Sequence, residues 1–164
     1  RSRESARRLL RFPLSEVPPM TETTAHAEQP VDRSAVLVPD ARRIDFLPTL
    51  FGRQHFLIGE MTVYYHMERL SPRDYRGGLW DFYQRDGKPL YLAPASKPRL
   101  QIICDTNGYE GEVSAGAAGI IATLFAFSHL SFQYPVDLMA EGYSRLYDYA
   151  AEHPESAEIF QAID

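Results

Sequence analysis

Cys104, the segment Asp105-Thr106-Asn107-Gly108, the pair Glu110/Glu112 and five histidines are the residues whose types and spacing bear first on chemistry. The Asp-Thr-Asn-Gly run resembles the start of a calcium loop, but an EF-hand needs glycine at position six and an oxygen ligand at position five. Here Gly108 falls fourth and Tyr109 fifth, so the run reads as a turn. His26, His55, His66, His129 and His153 make no HExxH or other metal-ligand spacing, and one cysteine excludes zinc sites built from several thiolates. Cys104 closes an alternating strand with Leu100 and Ile102 on its face, which predicts a buried, inert thiol. Glu110 and Glu112 share one face of a strand. Paired carboxylates do acid–base work only when their surroundings separate their pKa values, and on an exposed strand they are solvated charges. No GxSxG elbow, P-loop or GxGxxG occurs, and the GAAG of residues 116–119 lies inside a helical pattern. No catalytic residue, metal or cofactor is expected.

Two segments suit contact with a partner better than they suit chemistry. The first, residues 73–83, joins a Gly-Gly turn to a strand dense in aromatic and charged side chains, with Arg73, Asp74, Tyr75, Arg76, Trp80 and Asp81 as its candidates. Aromatic and arginine side chains commonly anchor protein interfaces. The second is acidic and C-terminal: Asp148, Glu152, Glu155, Glu158 and Asp164, with Glu110 and Glu112 upstream. The alternatives are a helix-to-strand turn holding a core tryptophan, and the solvated faces of amphipathic helices.

These residues need elements to position them. Asp45 can cap a short helix through Phe51, with Pro48 in its first turn and Gly52 after its end. A second helix is predicted over about 54–70, its apolar face formed by Leu57, Met61, Tyr64, Met67 and Leu70. Strands over 79–84 and 90–93 flank Asp86-Gly87, and strands over 99–104 and 109–113 flank Asn107-Gly108. Both dipeptides signal hairpins, because a type I′ turn needs positive φ at its two central residues. Ser114 caps a helix over about 115–130. Pro135 opens another to about 152, and a short helix over 154–163 follows. The pattern predicts one α+β domain, a small antiparallel meander of three to four strands packed with about five helices.

The 164 residues are 45% apolar, enough for a real core, and carry a net charge of −5 that is unevenly spread. Residues 1–19 hold five arginines against Glu4 and Glu16, whereas residues 105–164 oppose ten acids with Arg145 alone. Residues 1–35 read as a leader or native N-terminal tail without packed structure, and 36–164 as the domain. An acidic body argues against non-specific nucleic-acid binding, which depends on Lys and Arg neutralising phosphates. Its charge is also thin beside duplex DNA, which presents about one charge per 1.7 Å of axis. No Asp, Glu, Lys or Arg occurs from Val113 to Val136, but the serines, glycines and His129 within make a buried core helix the better reading than a membrane span.

Seven blocks, FLPTLFG (46–52), GEMTVYYHMERL (59–70), DYRGGLWDFY (74–83), YLAP (91–94), GYEGEVSAGAAGIIATLFAFSHL (108–130), LYDYAAEHPES (146–156) and IFQAID (159–164), resemble the ArdB/KlcA antirestriction family, especially its KlcA branch. They span most of residues 36–164, in order. The resemblance implies a small cytoplasmic α+β protein that relieves type I restriction of incoming plasmid DNA. It implies no cofactor and no catalytic residue. It leads us to expect non-enzymatic contact with a component of the type I restriction system, or with a host factor regulating it, and neither stable nucleic-acid binding nor a membrane association.

Overall fold

Asp86 at φ 52° and Gly87 at φ 73° supply the positive pair that a two-residue type I′ connection requires. They join β2 (Trp80–Arg85) to β3 (Lys88–Pro94) in antiparallel register, Arg85 opposite Lys88. The structure, a computed structural model, describes residues 34–164. The expected leader lies outside the described residues apart from Ser34 and Ala35. Ala35 donates its backbone N–H to Tyr149 Oη at 3.2 Å, and β1 (Val36–Leu37) pairs with β2 to complete a three-stranded sheet, β1-β2-β3.

The second expected hairpin, β4 (Arg99–Cys104) with β5 (Tyr109–Ser114), is present but turns differently. Cys104 faces Tyr109 across a four-residue loop in which Gly108 alone has a positive φ, 74°. Asn107 serves it through its side chain: Oδ1 accepts from Tyr109 N at 2.9 Å, and Nδ2 donates to the carbonyls of Gln161 and Ala162 at 3.0 Å each. The hairpins do not join into one meander; β4 and β5 form a sheet of their own. The physical reason lies at Gln101. Its N–H donates to Asp74 Oδ2 at 2.7 Å and its carbonyl accepts from Ser71 Oγ at 2.8 Å, so the edge of β4 facing away from β5 is satisfied by the segment after the second helix.

The helices begin with α1 (Arg43–Phe51), entered through a 3-10 turn at Asp40–Arg42. Asp45 therefore lies within α1 rather than at its cap, and Pro48 is interior. Next, α2 (Phe56–Leu70) buries Gly59, Thr62, Val63, Met67 and Leu70. Of its expected apolar face, Met67 and Leu70 are in the core and Tyr64 is half-buried, but Leu57 and Met61 are 63% and 64% exposed. The helix carries a second apolar stripe, and Gly59, seated against the Phe51 ring, selects which side packs.

Ser114 caps α3 (Ala115–Gln133) as expected, its Oγ accepting from Ala117 N at 3.1 Å. The helix is apolar on nearly every side because the body surrounds it: Ile120, Ile121, Phe127 and Leu130 are fully buried. By length and composition it could cross a membrane, yet 61% of its apolar window is buried inside the protein. Gly119 admits β3, where any Cβ would overlap the Leu92 carbonyl and Ala93. Finally α4 (Asp137–Glu152) starts two residues after Pro135, and α5 (Ser156–Ile163) packs Ile159 and Ala162 inward. On α4, Met139, Leu146 and Ala150 are buried, whereas Tyr147 is 41% exposed. Among the described residues, an α+β fold of five helices and two small antiparallel sheets results.

Candidate protein-interaction surface

The segment between α2 and β2 places its residues according to burial. Tyr75 and Trp80 are 7% and 5% exposed. Trp80 Nε1 donates to Tyr75 Oη at 3.0 Å, its ring lies 4.9 Å from that of Tyr64, and its carbonyl accepts from Arg43 Nη2 at 2.8 Å. Burial pushes the Tyr75 and Tyr64 hydroxyls up. These aromatics are thus core members, and neither is an exposed anchor. Asp74 accepts from Gln101 N and from Lys97 Nζ at 3.0 Å, and those two donors hold its carboxyl below the ordinary range. Asp81 is half-buried on β2 opposite Ala93, so of this segment's six candidates Arg73 and Arg76 are exposed, with Leu79 beside them at 82% exposure.

The acidic residues are dispersed in their roles. Glu110 and Glu112 are exposed on β5, and Glu112 pairs with Arg99 Nε at 2.7 Å. Glu152 pairs with Arg85 at 3.1 Å, the guanidinium lying 5.5 Å from the Tyr149 ring. Glu155 is half-buried and accepts from both the N–H and the hydroxyl of Ser114. Glu158 is half-buried and Asp164 exposed, while Asp148 lines a shallow hollow on α4 with Asp137, Glu141 and Arg145. Three of these carboxylates are therefore engaged in holding the fold.

A different site emerges where α2, α3 and the β4–β5 loop meet. Tyr65, His66, Arg69 and Leu70 from α2, Phe125 and His129 from α3, and residues 103–106 line a cavity of about 370 Å³. The His66 ring stacks on Phe125 at 5.6 Å and 20°, and meets His129 edge-on at 6.1 Å. Its Nε2 is buried without a hydrogen-bond partner among the described residues. Burial, with His129 and Arg69 beside it, lowers the His66 pKa to about 4, so the imidazole is neutral near pH 7. Cys104 is 4% exposed, as expected, with its Sγ 3.2 Å from Thr106 Oγ1. Among the described residues, no three His, Cys, Asp or Glu side chains converge as a metal site. The sequence signal nearest this cavity is the four-residue step Leu57, Met61, Tyr65, Arg69, of which Tyr65 and Arg69 line it, while Leu57 and Met61 belong to the expected core face.

Known proteins resemble this chain in sequence and fold across nearly the whole described body. A family model described as "Antirestriction protein" matches residues 73–164. An antirestriction protein KlcA of Escherichia coli is 45% identical over 141 residues, covering 84% of this chain and 97% of that protein. The uncharacterized protein YafX of Escherichia coli strain K12 is 35% identical over 153 residues, covering 88% of this chain and 100% of its own. A solved structure matches with TM-score 0.72 and 44% identity over 80% of this chain and 94% of that one. It comes from work on KlcA and ArdB, described as having a novel fold and antirestriction activity against type I DNA restriction systems in vivo but not in vitro. With two-fifths of its residues shared along almost the full length of such relatives, the chain belongs to the antirestriction protein family.

Proposed function

We propose that this protein relieves type I restriction of incoming, plasmid-type DNA in the cytoplasm, by non-enzymatic contact with a component of the restriction system or a host factor that regulates it. The observation that carries the reading is the 45% identity to KlcA over 97% of that protein's length. Activity of the KlcA and ArdB proteins in vivo but not in vitro supports a need for something the cell supplies, which favours a host factor. Contact rather than catalysis is supported by how the reactive side chains are used. Glu112 is ion-paired, Glu155 holds the start of α3, and the Cys104 thiol is buried against Thr106. Arg73, Arg76, Glu110, Asp148 and Asp164 remain exposed for such a contact.

The test is plating of unmodified phage, or plasmid transfer, on a type I-restricting strain with and without this gene. Relief of at least about tenfold in plating efficiency is expected. Equal restriction in the two cases overturns the reading. Alanine at Glu110, Glu112, His26, His55 and His153 should leave relief intact in every folded variant; loss at one of them would point to enzymatic action.

A further inference from the structure

The exposed stripe of α2 and the cavity between α2 and α3 make one continuous surface. Leu57, Met61 and Tyr65 are 63%, 64% and 52% exposed at successive four-residue steps, hence on one helix face, and Tyr65 is also a wall of the cavity. Singly exposed apolar residues are ordinary, but several in register running into a cavity mark a binding surface.

The cavity's chemistry defines what fits. Leu70, Ile103 and Phe125 give it apolar walls sized for a ring. His66 Nε2 offers one buried polar atom with its hydrogen bond unmade. Arg69 lies along the Tyr65 ring at 5.6 Å and donates to its hydroxyl at 3.1 Å, yet pairs with no carboxylate among the described residues. Among the lining residues Asp105 is the one acid, from the β4–β5 loop, so an incoming carboxylate belongs at the Arg69 end. From Leu57 to Arg69 the surface runs about 18 Å at 1.5 Å per residue, longer than a small molecule and matched to three turns of helix.

We propose that this surface receives an amphipathic helical segment of the partner protein, with an aromatic residue entering the cavity beside His66 and a neighbouring Asp or Glu meeting Arg69. The inference deepens the protein-contact reading above and rests on it. Stripe residues cover the partner's remaining apolar side chains, and the aromatic anchor supplies most of the affinity.

Two arms test it with the full chain. In the first, indole-3-acetate, a ring carrying a carboxylate, is titrated while the ring signals of His66, Phe125 and Tyr65 are followed by NMR. Saturable shifts with a dissociation constant near about 1 mM are expected, weakened about tenfold by Arg69→Glu, while uncharged indole binds both forms alike. No shift up to about 20 mM, or equal affinity for the acid in Arg69→Glu, overturns the cavity assignment. In the second arm, Leu57→Ser/Met61→Ser and Arg69→Glu are assayed for restriction relief beside Lys88→Glu, a charge reversal at an exposed residue of the β2–β3 hairpin outside both surfaces. The first two should lose about tenfold or more and the last nothing, with all three keeping the wild-type circular dichroism spectrum and cooperative melt. Full relief by the folded stripe and Arg69 variants overturns the proposal. So does a wild-type dimer that Met61→Ser dissociates, which would give the stripe to a second copy of this chain. Should the wild type give no relief, the antirestriction reading fails while the indole-3-acetate arm still decides the cavity.

Discussion

Glu155 grips Ser114 twice, accepting the backbone N–H at 2.9 Å through Oε1 and the hydroxyl through Oε2. That hydroxyl in turn accepts from Ala117 N, so the C-terminal segment orients the residue that starts the central helix. Removing the carboxylate leaves two half-buried donors without their partner. Glu155→Ala is expected to cost about 1–3 kcal/mol in urea unfolding, and Glu155→Gln less because one acceptor oxygen remains. A loss below about 0.5 kcal/mol for the alanine variant would show that water replaces the carboxylate without penalty.

Two glycines of α3 should answer alanine oppositely. At Gly119 a methyl group would overlap the Leu92 carbonyl and Ala93, so α3 and β3 must separate, at a cost of about 2 kcal/mol or more. At Gly116 the nearest atom would be Tyr91 Oη at 3.7 Å, an ordinary contact. Gly116→Ala should therefore gain about 0.5–1 kcal/mol from helix propensity. Thermal melts of the pair check both signs.

On α2, Val63 and Met67 are fully buried while Leu57 and Met61 are mostly exposed. Met67→Ala should cost about 2–5 kcal/mol through the cavity it leaves. Met61→Ala should stay within about 0.5 kcal/mol. Equal destabilisation by the two would place the helix in a different rotation about its axis.

Trp80 Nε1 is buried and has Tyr75 Oη as its acceptor. Tyr75→Phe keeps the ring but strands that donor, and a loss of about 1–3 kcal/mol is expected with an altered tryptophan emission spectrum. An unchanged spectrum and stability would mean the bond is replaced.

Acid should weaken the fold through His66, whose folded-state pKa is lowered to about 4 from the ordinary 6.5. Above pH 6.5 the ring is neutral in both states and contributes no pH dependence. Between 6.5 and 4 the unfolded chain binds a proton that the folded chain refuses, so stability falls as pH falls through that window and levels off below it. After allowance for solvent screening at an open cavity, the loss is about 1–2 kcal/mol. His66→Gln should remove that part of the slope between urea midpoints measured at pH 7 and 4.5. An identical slope in both proteins would contradict it.

What could be read along the chain was local. Asp86-Gly87 dictated a hairpin because both residues readily take the positive φ angles of a type I′ connection, and Ser114 announced α3 because its hydroxyl can accept from an otherwise unpaired N–H of the first turn. The uncharged run from Val113 to Val136 announced a core helix, and Cys104 its own burial. The seven sequence blocks carried the family. Position along the chain could not show which stripe of α2 would be covered, since Leu57-Met61 and Val63-Met67 are both apolar at helical spacing. Close packing of Gly59 on the Phe51 ring settled that choice and left the other stripe in water. Nor could it show that Gln101 would satisfy its backbone on Ser71 and Asp74, which split the expected meander in two. The cavity joins His66, Cys104 and His129, residues far apart in sequence and unremarkable singly. Short-range turn and capping bonds are written in neighbouring residues, whereas burial is decided by what else the folded chain brings to the same place.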